Sequence, residues 1–165
     1  VATKEFTHFG MWGGRMTTEL EEGVIDVNAE RVFKHGQCHS MALALHRETG
    51  WPMVSFKDET DLHDSPGHCA VYCPQLDEYV DVEGVGAFTR YAERCKMFAR
   101  TAKVVPVESV DKLKDYLPVR AEDARSFAQA VVKQVVDTHG IAVLQNGGDN
   151  GTDHQSDSSP VQRQS

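Results

Sequence analysis

A cysteine that does acyl chemistry needs an environment that favours its thiolate, a base that can move a proton, and a group that orients the base. In the stretch Gly36-Gln37-Cys38-His39 a cysteine stands where a helix is expected to begin. The unpaired amides of a helix start carry partial positive charge, which stabilises a thiolate and offers donors to an oxyanion. His68 opens an expected strand, and Asp81 lies on the next one. Cys38, His68 and Asp81 are therefore the candidate nucleophile, base and orienting carboxylate. Cys38's own amide is the first candidate for an oxyanion donor, with the Gln37 side chain as a second. Glu83 ranks behind Asp81 for the orienting role, and Tyr72 shares the same expected strand face.

The elements that must position these groups follow from periodicity. Met41, Ala42 and Leu45 share a helical face with Cys38, so a helix is expected over 38–49, closed by Gly50 and Pro52. Residues 53–56 read as a strand and 57–67 as a loop. A hairpin follows, with strands over 68–73 and 78–83. Alternation puts Cys69, Val71, Cys73, Val80 and Val82 on a core face, and His68, Ala70, Tyr72, Asp81 and Glu83 on the other. Any register that keeps the apolar face together sets His68 beside Asp81, directly or diagonally.

Elsewhere, Phe88, Tyr91, Ala92 and Cys95 form a helical stripe, extended by Phe98. Residues 102–107 read as a strand that Pro106 consigns to a sheet edge. A short helix is expected over 109–117 and a longer one over 121–139, with Ala124, Phe127, Ala128, Val131 and Val135 inward. Over 17–22, Thr18 and Glu21 match a capping box, so a short helix is expected there. The aromatic first sixteen residues should pack as an extended arm or cover a groove. Residues 1–145 are expected to form one α+β domain, and 146–165, polar with Val161 the lone apolar side chain, a disordered tail.

Here the chain resembles the papain-like cysteine hydrolases, especially their transglutaminase-like and small bacterial or phage branches. The resemblance rests on Gly36 to Leu45, Gly67-His68-Cys69-Ala70-Val71 and Tyr79-Val80-Asp81-Val82-Glu83-Gly84. It implies a papain-like core with Cys38 as nucleophile, His68 as general base and acid, and Asp81 as orienting carboxylate. It also implies peptidase, amidase, deamidase or acyl-transferase activity on a protein, peptide or small amide, with no cofactor. Gln37 and His39 flank the cysteine where transglutaminase-like members carry Trp or Tyr, so the substrate class stays open.

Other readings compete. Cys69, Cys73 and Cys95 fit a core as small apolar residues. His39 is expected to face solvent or loop, and His35, His46 and His63 have no partner that sequence names. The thiols and imidazoles around Cys38 and His68 suit zinc, but no pair of Cys-x-x-Cys motifs is present, so no metal is expected. A papain-like domain that binds a partner without turnover is the alternative function. With a formal charge of −8 and no basic stripe, nucleic-acid binding is not expected. No run approaches the ~18 apolar residues of a membrane span, and the start has no signal-peptide core. Four cysteines in a chain of this size read as reduced thiols, hence a cytoplasmic location (the host's, if phage-encoded).

Overall fold

The computed structural model describes residues 1–60, 67–113 and 117–143. The proposed tail at 146–165, and His63, lie outside them. Two strands, β1 (Thr3–Phe9) and β2 (Arg15–Glu21), form an antiparallel ribbon. Two helices follow, α1 (Val27–Lys34) and α2 (Cys38–Thr49), then β3 (Met53–Asp58), β4 (His68–Cys73), β5 (Glu78–Asp81) and the two-residue β6 (Gly84–Val85). Helix α3 (Ala87–Lys96), strand β7 (Ala102–Pro106), a 3-10 turn at Val110–Leu113 and helix α4 (Ala121–His139) complete the order. The second sheet is antiparallel throughout, in the order β6-β5-β4-β3-β7. The architecture is α+β, and β7 with its proline is an edge strand. No helix among the described residues is long and apolar enough to cross a membrane.

The alternation of the hairpin strands decides what the sheet packs against. Cys69, Val71, Cys73, Val80 and Val82 are all buried in the main core, with Met41 and Leu45 of α2 and Phe127, Ala128, Val131 and Val135 of α4. The opposite face holds a smaller cluster, in which Val54, Phe56 and Ala70 meet Ala87, Phe88 and Tyr91 of α3. Helix α2 ends on Gly50, whose φ of +73° suits a residue without a Cβ.

Residues 17–21 are strand and Glu22 begins a turn, so no helix forms there. Met16, Thr18 and Leu20 share the ribbon face of Phe6 and His8, and Phe6 stands opposite Thr18. Burial of Phe6, His8 and Leu20 on that face outweighs a capping-box pattern worth about 1 kcal/mol. The ribbon is thus the extended aromatic arm expected, and Phe6 inserts between Phe33 of α1 and Phe127 of α4, with ring centroids at 5.2 and 5.9 Å. Helix α1 has no counterpart in the sequence reading, although Asp26 caps it by accepting a 2.8 Å bond from the Ala29 amide. The helix expected over 109–117 is present only as the 3-10 turn, and residues 114–116 are outside those described. Phe98 falls beyond α3 and is exposed.

Phe6→Ala should destabilise the domain by about 3–5 kcal/mol, the usual cost of emptying a fully buried aromatic site. Urea unfolding measures it; a loss below about 1 kcal/mol would mean the ribbon is not part of the cooperative core.

Candidate active site

Cys38 is the first residue of α2, and His68 the first residue of β4. Helix α2 lies on the core face of β4, so the start of the helix abuts the start of the strand. Val71 pairs with Val80, and the same register carried one step further sets Ala70 opposite Asp81. His68 is therefore diagonal to Asp81 on one face. The side chains meet, with His68 Nε2 donating to Asp81 Oδ2 at 2.8 Å. His68 and Cys38 line the same cavity, and each shifts the acidity of the other, the imidazole upward and the thiol downward. Because Nε2 is engaged by the carboxylate, Nδ1 is the nitrogen left to serve the sulfur.

The backbone around the two ends is tightly constrained. Gly36 has φ +124°, and a Cβ there would lie 3.0 Å from Leu117, 3.1 Å from Phe9 and 3.2 Å from the His8 backbone. A Cβ on Gly67 would overlap the Phe56 carbonyl. Both approaches to the site therefore demand glycine.

Asp81 is buried and held on three sides. Besides His68, it accepts from Arg90 Nη2 at 2.8 Å and from the Glu83 amide at 2.9 Å. Burial works to raise its pKa, but His68, Arg90 and the amide together hold it below the usual carboxylate value. Burial likewise disfavours charge on His68, yet the bonds to Asp81 and Cys38 carry its pKa from 6.5 up to about 9. Cys38 moves the other way, well below an ordinary thiol, through the Cys69 thiol first and then His39 and His68, against burial. Cys69 is raised correspondingly, by Cys38 first and then by burial.

The remaining expected residues sit differently. Gln37 is buried, its Nε2 donating to the Thr7 carbonyl at 2.8 Å and its Oε1 accepting from Ser40 at 2.6 Å. Its side chain clamps α2 to β1 and is absent from the pocket wall, so it is not placed as an oxyanion donor. Ser40 in turn accepts from the Arg120 amide, which ties the same helix start to that of α4. Tyr72 donates to Asp77 at 2.6 Å and packs on Tyr79, away from the pocket. Glu83 pairs with Arg90 and Lys34, at 2.8 and 2.9 Å, and so supports Asp81 through Arg90 rather than facing His68. His39 is turned inward, with Nε2 donating to the Leu117 carbonyl at 2.7 Å; packing against the segment before α4 replaces the solvent position expected. Arg90, His39 and Cys69 are the neighbours that sequence reasoning missed. Arg90 carried a faint signal as a cation on the helix following two acids, whereas nothing in the sequence sets Cys69 against Cys38.

Cys38, His68 and Cys69 open on a cavity of about 290 Å³, walled by Phe9, Gly36, Tyr91 and Arg94 among others. The first amides of α2, beginning with that of Cys38, have no partner within the helix. Among the described residues no group of three or more His, Cys, Asp or Glu is placed to hold a metal ion. No family model matches the chain, and comparisons with curated proteins and with solved structures found no match.

The opposite shifts set a pH window. His68, raised to about 9, favours the folded state fully below its ordinary 6.5 and loses that contribution as pH rises through 9. Cys38, depressed, contributes above its ordinary thiol range and loses its share as pH falls through its lowered value. Between the two, the charged pair is intact. Iodoacetamide should therefore label Cys38 well below pH 8, with a second rise in rate near pH 9 as His68 loses its proton. His68→Ala should move labelling of Cys38 to higher pH, with Cys69 and His39 keeping part of the depression. Site-resolved mass spectrometry reads this, and labelling of Cys38 only above about pH 8.5 in the wild type would contradict the ion pair.

Proposed function

We propose that this chain is a thiol-dependent hydrolase or acyl transferase of papain-like type, acting on an amide bond through Cys38, His68 and Asp81. The observation that carries the reading is the single imidazole joined on one side to a buried, ionised carboxylate and on the other to a half-buried thiol in an open cavity. A histidine serving only to fill space has no need of either partner, still less of both.

In this reading the Cys38 thiolate attacks a carbonyl carbon, and first-turn amides of α2, beginning with that of Cys38, receive the developing oxyanion. The His68 imidazolium then gives its proton to the leaving amine as the tetrahedral intermediate collapses to a thioester. Water, or a second nucleophile, loses a proton to His68 and attacks the thioester, which releases the acid or the transferred product and restores the thiolate. Asp81 keeps the His68 ring in the tautomer and orientation both half-reactions use, and Arg90 keeps Asp81 ionised.

A groove that binds a partner without turnover is the second reading. Met11 and Trp12 favour it, since they stand more than nine-tenths exposed at the tip of the ribbon whose Phe9 and Gly10 line the cavity.

Screening of peptide and small-amide substrates with matched variants separates the two. Cys38→Ala and His68→Ala should each abolish turnover with the fold intact, while Asp81→Asn should leave a measurable residue, with kcat lowered roughly 10²- to 10⁴-fold. Unfolding of Cys38→Ala would make the cysteine structural, and turnover that persists without its thiol would remove Cys38 from the chemistry.

A further inference from the structure

The cavity has a chemical character that thiol chemistry alone does not require. Beyond the catalytic groups its wall brings Lys34, His35 and Arg94 together with the aromatic rings of Phe9 and Tyr91, and no carboxylate among the described residues. This is a basic recess in a chain of formal charge −8. Lys34 is already paired with Glu83 at 2.9 Å. His35 is held below its ordinary pKa by burial and then by Lys34, Arg94, His8 and His68, which keeps it largely neutral but reports the surrounding positive field. Arg94 is the cation left over: it is exposed on α3 at the cavity wall and has no ion pair among the described residues.

We propose that the site prefers acidic peptides, with Arg94 receiving a carboxylate side chain next to the acyl group that Cys38 attacks. The inference rests on the thiol reading above. A guanidinium offers a planar pair of donors that match a carboxylate, and the ring of Tyr91 supplies an apolar wall for the aliphatic stem. The partly enclosed cavity strengthens the attraction relative to open water.

Two probes with one reactive head test this: N-iodoacetyl glutamate α-amide and N-iodoacetyl glutamine α-amide, with plain iodoacetamide as reference. The glutamate probe should label Cys38 about three- to tenfold faster than the glutamine probe at low salt, with the ratio shrinking at high salt. With each probe's rate taken relative to the same variant's iodoacetamide rate, Arg94→Glu should reverse the preference and Arg94→Lys should keep most of it. Equal rates for the two probes, or a preference that survives Arg94→Glu, overturns the acidic-peptide inference while leaving the nucleophile standing. Failure of Cys38 to react even with iodoacetamide overturns the thiol reading and this inference together.

A separate observation concerns Cys69. It is 2% exposed, lines the same cavity as Cys38, and the two thiols shift each other's acidity in opposite directions. We infer that a peroxide converts this pair to a reversible disulfide that shields the nucleophile from further oxidation. The Cys38 thiolate attacks one peroxide oxygen, so an S–O bond forms, the O–O bond breaks, and the departing hydroxide takes a proton to leave as water. Cys69 then gives up its proton and attacks the Cys38 sulfur. The S–S bond forms, the S–O bond breaks, and a second water leaves. The two cysteines together lose two electrons to the peroxide, and a dithiol returns them. After stoichiometric hydrogen peroxide, the intact mass should fall by two hydrogens, with a linked peptide joining Cys38 to Cys69 that dithiothreitol cleaves. Cys69→Ser should instead give a dimedone-trappable sulfenic acid at Cys38. A wild-type protein that accumulates that sulfenic acid, or its higher oxides, without the linked peptide would overturn the inference.

Discussion

The arrangement depends on one ring. His68 is bonded to Asp81 through Nε2, which leaves Nδ1 for Cys38, and that division holds only if the first residue of a strand meets the first turn of a helix. A shift of one residue in β4 would send the imidazole to the core face and bring a cysteine to the carboxylate. The register is protected because the same shift would drive Val71 and Cys73 out of the core and Tyr72 into it. The hydrophobic alternation that folds the hairpin is therefore also what aims the base.

The helix start has to be held as firmly as the strand. Gln37 bonds to β1, Ser40 to Gln37 and to the start of α4, and His39 to the Leu117 carbonyl. The three polar residues that flank Cys38, Gln37, His39 and Ser40, are thus buried, and each has its partner, so none adds an unpaired polar group to the interior. The Phe6, Phe33 and Phe127 cluster fastens the ribbon to α1 and α4, which gives the Thr7 carbonyl a fixed place from which to bind Gln37. The N-terminal ribbon is in this sense part of the support for Cys38, although among the described residues it contributes only Phe9 and Gly10 to the cavity wall.

What was legible in the sequence was whatever a local period or a single special residue encodes. Helix α2, its Gly50 stop, the two hairpin strands with their faces, and α4 follow from spacing, and so does the meeting of His68 with Asp81. Helix α1 was missed because its inward residues, Ala29, Val32 and Phe33, are few among charged neighbours, and only the Asp26 cap marks it. The ribbon was misread at 17–22 because a capping pattern is local whereas the pairing that overrules it reaches back to Thr3. The roles of Gln37, Glu83 and Arg90 needed partners from other elements (β1, α1 and α3), and no spacing along the chain reports those. Cys69 is buried, as its alternation implies; what burial alone conceals is that it shares a cavity wall with Cys38.

The charges around the site form a graded chain rather than a single pair. Glu83 joins Lys34 to Arg90, Arg90 reaches Asp81, Asp81 holds His68, and His68 faces Cys38. Each charge past the sulfur is followed by one of opposite sign, so the buried carboxylate is compensated on both sides and need not draw the proton off His68 to be stable there. With Arg90 absent, a buried Asp81 would have only the imidazole and one amide to balance it, and its pKa would rise. The buried carboxylate that holds His68 is thus compensated by an arginine of α3, on the face of the sheet away from α2.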